Sequence, residues 1–254
     1  MSSPQTAVPR FKYLDSLINI FVVVLIISNL VAPKLVAVGP LRLSGAQILF
    51  PVTYIFGDIF TEVYGYAASR RAIWTGFLAS SLLAVMGLII VALPPAPEWK
   101  DQKAFEVVFG FVPRVVISSL IAYWCGEFAN AFVMARLKVI TSGKMLWLRT
   151  IGSTAVGQLV DTTVVIVLAF AGTVGFKEIL NLIFSGYFGK VLYEAAATPL
   201  TYVVVNGLKR AEGIDIYDTN TDFNPFRTGS SSPVRTEAVV SLGRSQRRTD
   251  RAGN

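Results

Sequence analysis

A stretch long and apolar enough to cross a membrane, residues 50–71 (FPVTYIFGDIFTEVYGYAASRR), contains two carboxylates. Asp58 and Glu62 are four residues apart, so they share one face of a helix. That polar stripe is continued by Tyr54, Thr61 and Gly65. Each charge at the centre of a lone membrane helix costs roughly 2.5–3.5 kcal/mol, so we expect other parts of the fold to compensate both carboxylates. The opposite, apolar face is expected to meet lipid.

The composition indicates an all-α polytopic membrane protein. Of the 254 residues, 53% are hydrophobic and only 15% are charged, and the long uncharged runs are continuous rather than alternating. Alternation would be needed for a β-barrel. The net charge of +7 is concentrated in the C-terminal tail and the short loops, which favours membrane topology over nucleic-acid binding.

Several kinds of site are excluded by the residues that the chain lacks. Cys125 is the single cysteine and there is no histidine, so disulfides, multi-cysteine metal sites, histidine-ligated zinc and Ser-His or Cys-His dyads are ruled out. No G-x-x-x-x-G-K-[ST] sequence occurs, so the chain carries no ATP-binding P-loop. We expect no catalytic residue, metal or cofactor.

Six apolar segments predict six transmembrane helices. Their approximate bounds are 14–32, 45–68, 72–93, 115–137, 150–172 and 182–208. The predicted organisation is a segment at 1–13, a transport domain at 14–210 and a largely disordered basic tail at 211–254. Lys and Arg are more frequent in the loops on the side of both termini, which predicts that both termini are cytoplasmic.

The candidate ligand-binding side chains lie at similar depths on several of these helices. The candidates are Asn29, Tyr54, Asp58, Thr61, Glu62, Asn130, Gln158, Asp161, Thr162, Lys190 and Glu194. Asp58, Asp161 and Glu194 fall roughly 15–18 Å from a helix end at 1.5 Å per residue, so a shared polar cavity near the midplane is expected.

The spacing of polar residues on the second helix recurs on the fifth. Asp58-x-x-Thr61-Glu62 corresponds to Gln158-x-x-Asp161-Thr162, and an offset of three spans reverses orientation. This pattern predicts two inverted three-helix repeats, whose interface commonly holds the substrate of a transporter.

Less specific interpretations remain open for several residues. Lys190 and Glu194, four apart, are expected to neutralise one another as a structural ion pair. Glu127 has no basic partner on its face of the helix. Two interpretations of it are equally open, a structural role and a position beside a water-filled edge. The glycines at 57, 65, 152 and 157 are expected to permit close helix approach.

Three parts of the chain carry a family resemblance. They are GDIFTEVYGY with the following Arg pair at 57–71, GQLVDTT at 157–163, and a sixth helix with Lys190, Glu194 and Pro199. Together they resemble the queuosine precursor transporters, a group within the vitamin uptake transporters. The resemblance covers about residues 12–212. It implies import of 7-cyano-7-deazaguanine across a bacterial inner membrane for tRNA queuosine synthesis, with 7-aminomethyl-7-deazaguanine as a second candidate substrate.

The residues fit a small nucleobase-like substrate of this kind. Asp58, Glu62 or Asp161 could accept hydrogen bonds from the N1–H and 2-amino donors of a guanine-like edge, while Lys190, Gln158 or an Asn meets the carbonyl. The expected mechanism is alternating access of the two halves, and proton coupling through a buried carboxylate is a weaker hypothesis.

Two alternatives stay open at this point. The first is a membrane-embedded substrate-binding subunit that works with a separate ATP-driven module. The second is a membrane enzyme that uses Asp58, Glu62 and Asp161, against which the absence of histidine weighs.

Overall fold

The computed structural model describes residues 11–38, 41–110, 113–173, 175–219, 221–226 and 235–236. Six long helices and one short helix account for most of these residues. They are α1 (Leu14–Val31), α2 (Ala46–Tyr64), α3 (Tyr66–Ala92), α4 (Gln102–Phe109), α5 (Pro113–Ile140), α6 (Leu146–Phe170) and α7 (Phe176–Glu212). The antiparallel strands β1 (Leu35–Val38) and β2 (Leu41–Ser44) join α1 to α2. The prediction of an all-α polytopic protein is therefore confirmed.

Four helical stretches are long and apolar enough to cross a membrane. Among the described residues they are α1, α3, α6 and a fourth stretch that includes α5. The two other long helices, α2 and α7, carry the polar residues that lie inside the bundle. Glu62 of α2 and Lys190 of α7 are paired with charged groups of other helices, which is one way in which polar residues persist in membrane helices.

α2 is the central helix, and its apolar face packs against protein. Phe60 and Val63 are fully buried, and the Phe60 ring lies 5.6 Å from that of Phe21 on α1 and 6.0 Å from that of Phe56. The expectation that this face meets lipid is therefore wrong. Exposed apolar side chains lie instead on the peripheral helices, such as Leu78 and Leu82 on α3.

The boundary between the second and third helices differs from the prediction. α2 ends at Tyr64 and α3 begins at Tyr66, so Arg70 and Arg71 belong to α3 rather than to a loop. Gly65 makes this one-residue turn with φ +79°, a left-handed conformation that favours glycine. Gly65 therefore terminates the polar stripe of α2 instead of extending it.

The segment that follows α7 folds back across the same end of the bundle. The Asp218 carboxylate accepts a 3.0 Å hydrogen bond from the backbone N–H of Tyr66, at the start of α3. Arg70 and Trp74 donate to backbone carbonyls of Asn224 and Pro225. The described residues of the predicted tail up to 226 therefore pack against the bundle, because the Asp218 carboxylate and the backbone carbonyls of 224 and 225 accept hydrogen bonds from the first turns of α3.

A short strand near the start of this segment pairs with residues 235–236. β3 (Ile216–Tyr217) pairs antiparallel with β4 (Arg235–Thr236). The rest of the predicted tail, 227–234 and 237–254, and most of the predicted segment 1–13 lie outside the described residues. The structure does not test the predicted inverted repeat, which stays a prediction.

α5 and α6 cross closely at two glycines. A Cβ atom on Gly157 would lie 2.8 Å from Cβ of Asn130 and 3.0 Å from the carbonyl oxygen of Gly126. A Cβ atom on Gly126 would lie 2.7 Å from Cβ of Asp161. Small residues allow this approach of two backbones, as predicted for Gly157.

We expect Gly157→Ala to destabilise the folded protein by about 1–3 kcal/mol, because the added methyl group meets backbone and Cβ atoms that cannot move aside easily. The measurement is the thermal unfolding temperature of purified protein in detergent. Gly207→Ala is the matched control, since a Cβ there meets nothing within 4 Å. Equal unfolding temperatures for the two variants would show that the crossing is not tightly packed.

Candidate functional site

One face of α2 carries three polar side chains at successive turns, and each lies in a different environment. Tyr54, Asp58 and Glu62 are spaced four residues apart, which is about 6 Å per step along the helix axis. Tyr54 lines a cavity, Asp58 lies in a closed part of the bundle, and Glu62 lies in a charge cluster near the end of α2. The candidates predicted to share one cavity are therefore distributed over three levels.

The cavity has a volume of about 340 Å³ and lies between α1, α2, α5, α6 and α7. It extends from the middle of the bundle to the ends of α1 and α2 that flank the β1–β2 hairpin. Six of the predicted residues line it, namely Asn29, Tyr54, Asn130, Gln158, Asp161 and Lys190. Its volume lies at the lower end of the range of roughly 300–1,000 Å³ typical of small-molecule sites.

An ion pair between α6 and α7 forms part of the cavity wall. Lys190 Nζ lies 2.7 Å from Asp161 Oδ2 and 3.4 Å from the hydroxyl oxygen of Thr162, and the two charged side chains are each 22% exposed. The predicted pairing of Lys190 with Glu194 is therefore wrong. Residues four apart on one helix can pair, but here the lysine reaches across to the neighbouring helix.

Three acceptor atoms in the cavity wall are buried without a hydrogen-bond partner among the described residues. They are Oδ1 of Asn130, Oγ1 of Thr154 and Oε1 of Gln158. Asn29 differs, because its side-chain amide donates to the Ser80 hydroxyl of α3 at 3.3 Å. Buried polar atoms without partners are costly, so these three side chains have unused hydrogen-bonding capacity next to the cavity.

Asp58 and Glu194 do not line the cavity. They are 0% and 1% exposed, and none of their four carboxyl oxygens has a hydrogen-bond partner within the described part of the chain. The two groups lie within electrostatic range of each other, and the Thr150 side chain of α6 lies beside Asp58. Thr61 is also separate from the cavity, since its hydroxyl donates to the Gly57 carbonyl.

Glu62 is the centre of a charge cluster at the end of α2. Arg149 of α6 binds its carboxylate through two hydrogen bonds, of 3.0 Å from Nε and 2.7 Å from Nη2. Lys209 of α7 lies 2.6 Å from Oε1, and Lys138 of α5 donates to the Glu62 backbone carbonyl. Bidentate arginine–carboxylate pairs are among the strongest charge-assisted hydrogen bonds. Glu62 is therefore fully engaged with the protein itself.

Asp215 joins this cluster from the segment after α7. Its carboxylate lies 2.6 Å from Lys138 Nζ and 2.9 Å from Lys209 Nζ. Burial raises the pKa of Asp215, but the two neighbouring ammonium groups outweigh burial and hold the pKa below its ordinary value. Asp215 is therefore ionised at neutral pH, and the cluster combines three cations with two carboxylates.

The sequence alone did not identify the residues that complete the charge cluster around Glu62 and the wall of the cavity. Arg149, Lys138 and Lys209 are counted as loop or end charges in a topology argument, although the side chains of Arg149 and Lys138 are each 1% exposed. The sequence allows two interpretations of Glu127, a structural role or a position beside water, and the structure places it in the cavity wall. Its i, i+3 spacing with Asn130 on α5 is the one sequence signal that could have identified it.

Comparisons with known proteins agree with the transporter architecture. A family model described as "Putative vitamin uptake transporter" matches residues 44–204. The chain is also similar to a protein of Bacillus subtilis (strain 168) named "Probable queuosine precursor transporter", with 31% identity over 176 residues, which cover 69% of this chain and 77% of that protein. No solved structure matches significantly.

Removing the charge of Glu62 is expected to destabilise the fold strongly. In Glu62→Gln, Arg149 loses its buried counter-ion, and Lys138 and Lys209 keep only Asp215. Deleting one partner of a buried ion pair costs about 3–5 kcal/mol. The measurement is the unfolding temperature in detergent, together with the amount of protein in the membrane.

Glu178→Gln is the control for this prediction. It removes the same charge at an exposed position in the first turn of α7. A Glu62→Gln protein as stable as the Glu178→Gln protein would contradict a structural role for the cluster.

Proposed function

Because the chain belongs to the vitamin uptake transporter family, we propose that this membrane transporter imports 7-cyano-7-deazaguanine, with 7-aminomethyl-7-deazaguanine as a second candidate substrate. The observation that carries the proposal is the polar cavity at mid-bundle. The name of the similar Bacillus subtilis protein supports the choice of substrate.

The chemistry of the cavity suits a small, flat and polar heterocycle. Tyr54 and Tyr123 supply aromatic surface on which a ring can stack, and the Asn130, Thr154 and Gln158 acceptors can receive hydrogen bonds from ring and amino N–H groups. A deazaguanine has such donors along one edge and a carbonyl beside them.

The charge cluster supports alternating access as the transport mechanism. It joins α2, α5, α6, α7 and the segment after α7 at one end of the bundle. The cavity extends toward the opposite end, so substrate in the cavity would leave at the Glu62 end only after these helices separate. We place the Glu62 end in the cytoplasm, because most Lys and Arg residues lie on that side, and the protein in the bacterial inner membrane.

In the proposed transport mechanism, the ion pair of Asp161 and Lys190 is part of the substrate-binding site. It lies in the cavity wall and holds α6 and α7 together at the depth of the substrate. The alternative in which the chain serves a separate ATP-driven module stays a prediction, which co-purification with an ATPase in mild detergent would support.

The test is restoration of queuosine in tRNA of a bacterial strain that cannot make the deazaguanine precursor and lacks its own importer. With the precursor supplied at low concentration, we expect the wild-type chain to restore queuosine. Asp161→Asn is expected to reduce initial restoration at least ~10-fold, because it removes the carboxylate that lies 2.7 Å from the Lys190 ammonium group in the cavity wall.

Asp101→Asn provides the matched control, since it makes the same change at an exposed position before α4 and should restore queuosine fully. Membrane abundance of all variants is measured in parallel. Failure of a well-expressed wild-type chain to restore queuosine would contradict the proposed substrate. Full restoration by Asp161→Asn would show that transport does not require the ion pair.

A further inference from the structure

The carboxylates that could bind a ligand differ from those that the sequence favoured. Asp58 and Glu62 do not line the cavity, and Asp161 is paired with Lys190 at 2.7 Å. Among the described residues that line the cavity, Glu127 of α5 is the other carboxylate. Within the described part of the chain, no group forms a hydrogen bond or an ion pair with Glu127.

The packing of α2 against α5 leaves room for the Glu127 carboxylate. Gly57 of α2 faces it, and a Cβ atom at that position would lie 3.4 Å from Glu127 Oε2 and 3.7 Å from Asn130 Nδ2. A larger residue at 57 would therefore crowd the carboxylate. Glu127 is half-buried, which distinguishes it from the closed positions of Asp58 and Glu194.

The surroundings of Glu127 are rich in acceptors. Asn130 and Gln158 line the same cavity, and Oδ1 of Asn130 and Oε1 of Gln158 are buried without hydrogen-bond partners among the described residues. The acidic Asp161 and Glu194 are charged neighbours of Glu127, and Asp161 is paired with Lys190, which also lines the cavity. A carboxylate accepts hydrogen bonds at both oxygens, so it can bind two adjacent N–H donors as a pair. The matching ligand edge is a cyclic amidine or guanidine with a ring N–H beside an exocyclic amino group.

Resting on the proposed function, we propose that Glu127 determines substrate specificity by accepting two hydrogen bonds from the ring N–H and exocyclic amino group of a guanine-type heterocycle. Tyr123, one turn away on α5, lines the same cavity and is held by a hydrogen bond from its hydroxyl to the Ile73 carbonyl. Its ring offers a surface beside the carboxylate on which the heterocycle can stack. In this arrangement Asp161 pairs with Lys190 and does not accept hydrogen bonds from the N–H groups of the substrate.

The test compares two probes on purified full-length protein in detergent. The first probe is 7-cyano-7-deazaguanine, and the second is the same molecule without its 2-amino group. Dissociation constants are obtained from ligand-dependent unfolding temperatures. The wild type is expected to bind the amino-bearing probe at least ~10-fold more tightly, because the second probe leaves one carboxylate oxygen unpaired.

In Glu127→Gln we expect the preference to fall to about threefold or less, because the amide presents only one acceptor oxygen to this edge. Glu106→Gln, which changes an exposed residue of α4, should keep the wild-type ratio. The unliganded Glu127→Gln protein should be as stable as the wild type, since no described group depends on the carboxylate.

Three outcomes would overturn the inference. An unchanged binding ratio in Glu127→Gln would remove Glu127 from recognition of the amino group while leaving the proposed substrate intact. A large loss of stability in the unliganded variant would show that the carboxylate supports the fold. Failure of the wild type to bind either probe would refute both this inference and the proposed substrate.

Discussion

A buried carboxylate in a membrane-length helix must be neutralised, and in this protein the charge cluster around Glu62 meets that requirement. Glu62 is 0% exposed on the central helix α2, and its oxygens receive Arg149 and Lys209 from two other helices. Lys138 and Asp215 add a fourth helix and the segment after α7. Because every one of these groups loses its partner if the helices separate, the cluster fixes how four helices meet at one end of the bundle.

The glycine crossing of α5 and α6 has a comparable role at the level of the cavity. Gly126 and Gly157 let the two backbones approach, and this places the polar side chains of α5 beside those of α6. Glu127 and Asn130 therefore face the same space as Gln158 and Asp161. A bulkier crossing would separate these side chains, so the packing of small residues is a condition for the cavity's chemistry.

The polar residues at the three levels along α2 have different roles. The cavity around Tyr54 offers binding groups, the Glu62 cluster closes one end, and Asp58 with Glu194 lies in the closed region of the bundle. Substrate that passes toward the Glu62 end would meet these carboxyls before the cluster. This order links the proposed binding site to the helices that must move for alternating access.

Much of the architecture followed from the sequence alone. Continuous apolar runs predicted the helices, since a membrane-length helix satisfies its own backbone hydrogen bonds, and i, i+4 spacing placed Asp58 and Glu62 on one face. The partners of the charged residues required the tertiary structure. Spacing allows Lys190 to pair with Glu194, but the rotation and closeness of α6 and α7 direct it to Asp161. Likewise, the sequence alone suggests that Arg149 is a charge at the loop end of a helix, whereas in the structure its side chain points inward and pairs with Glu62. The energy of a buried charge depends on which oppositely charged group lies within a few ångströms, and only the packing of the helices determines that.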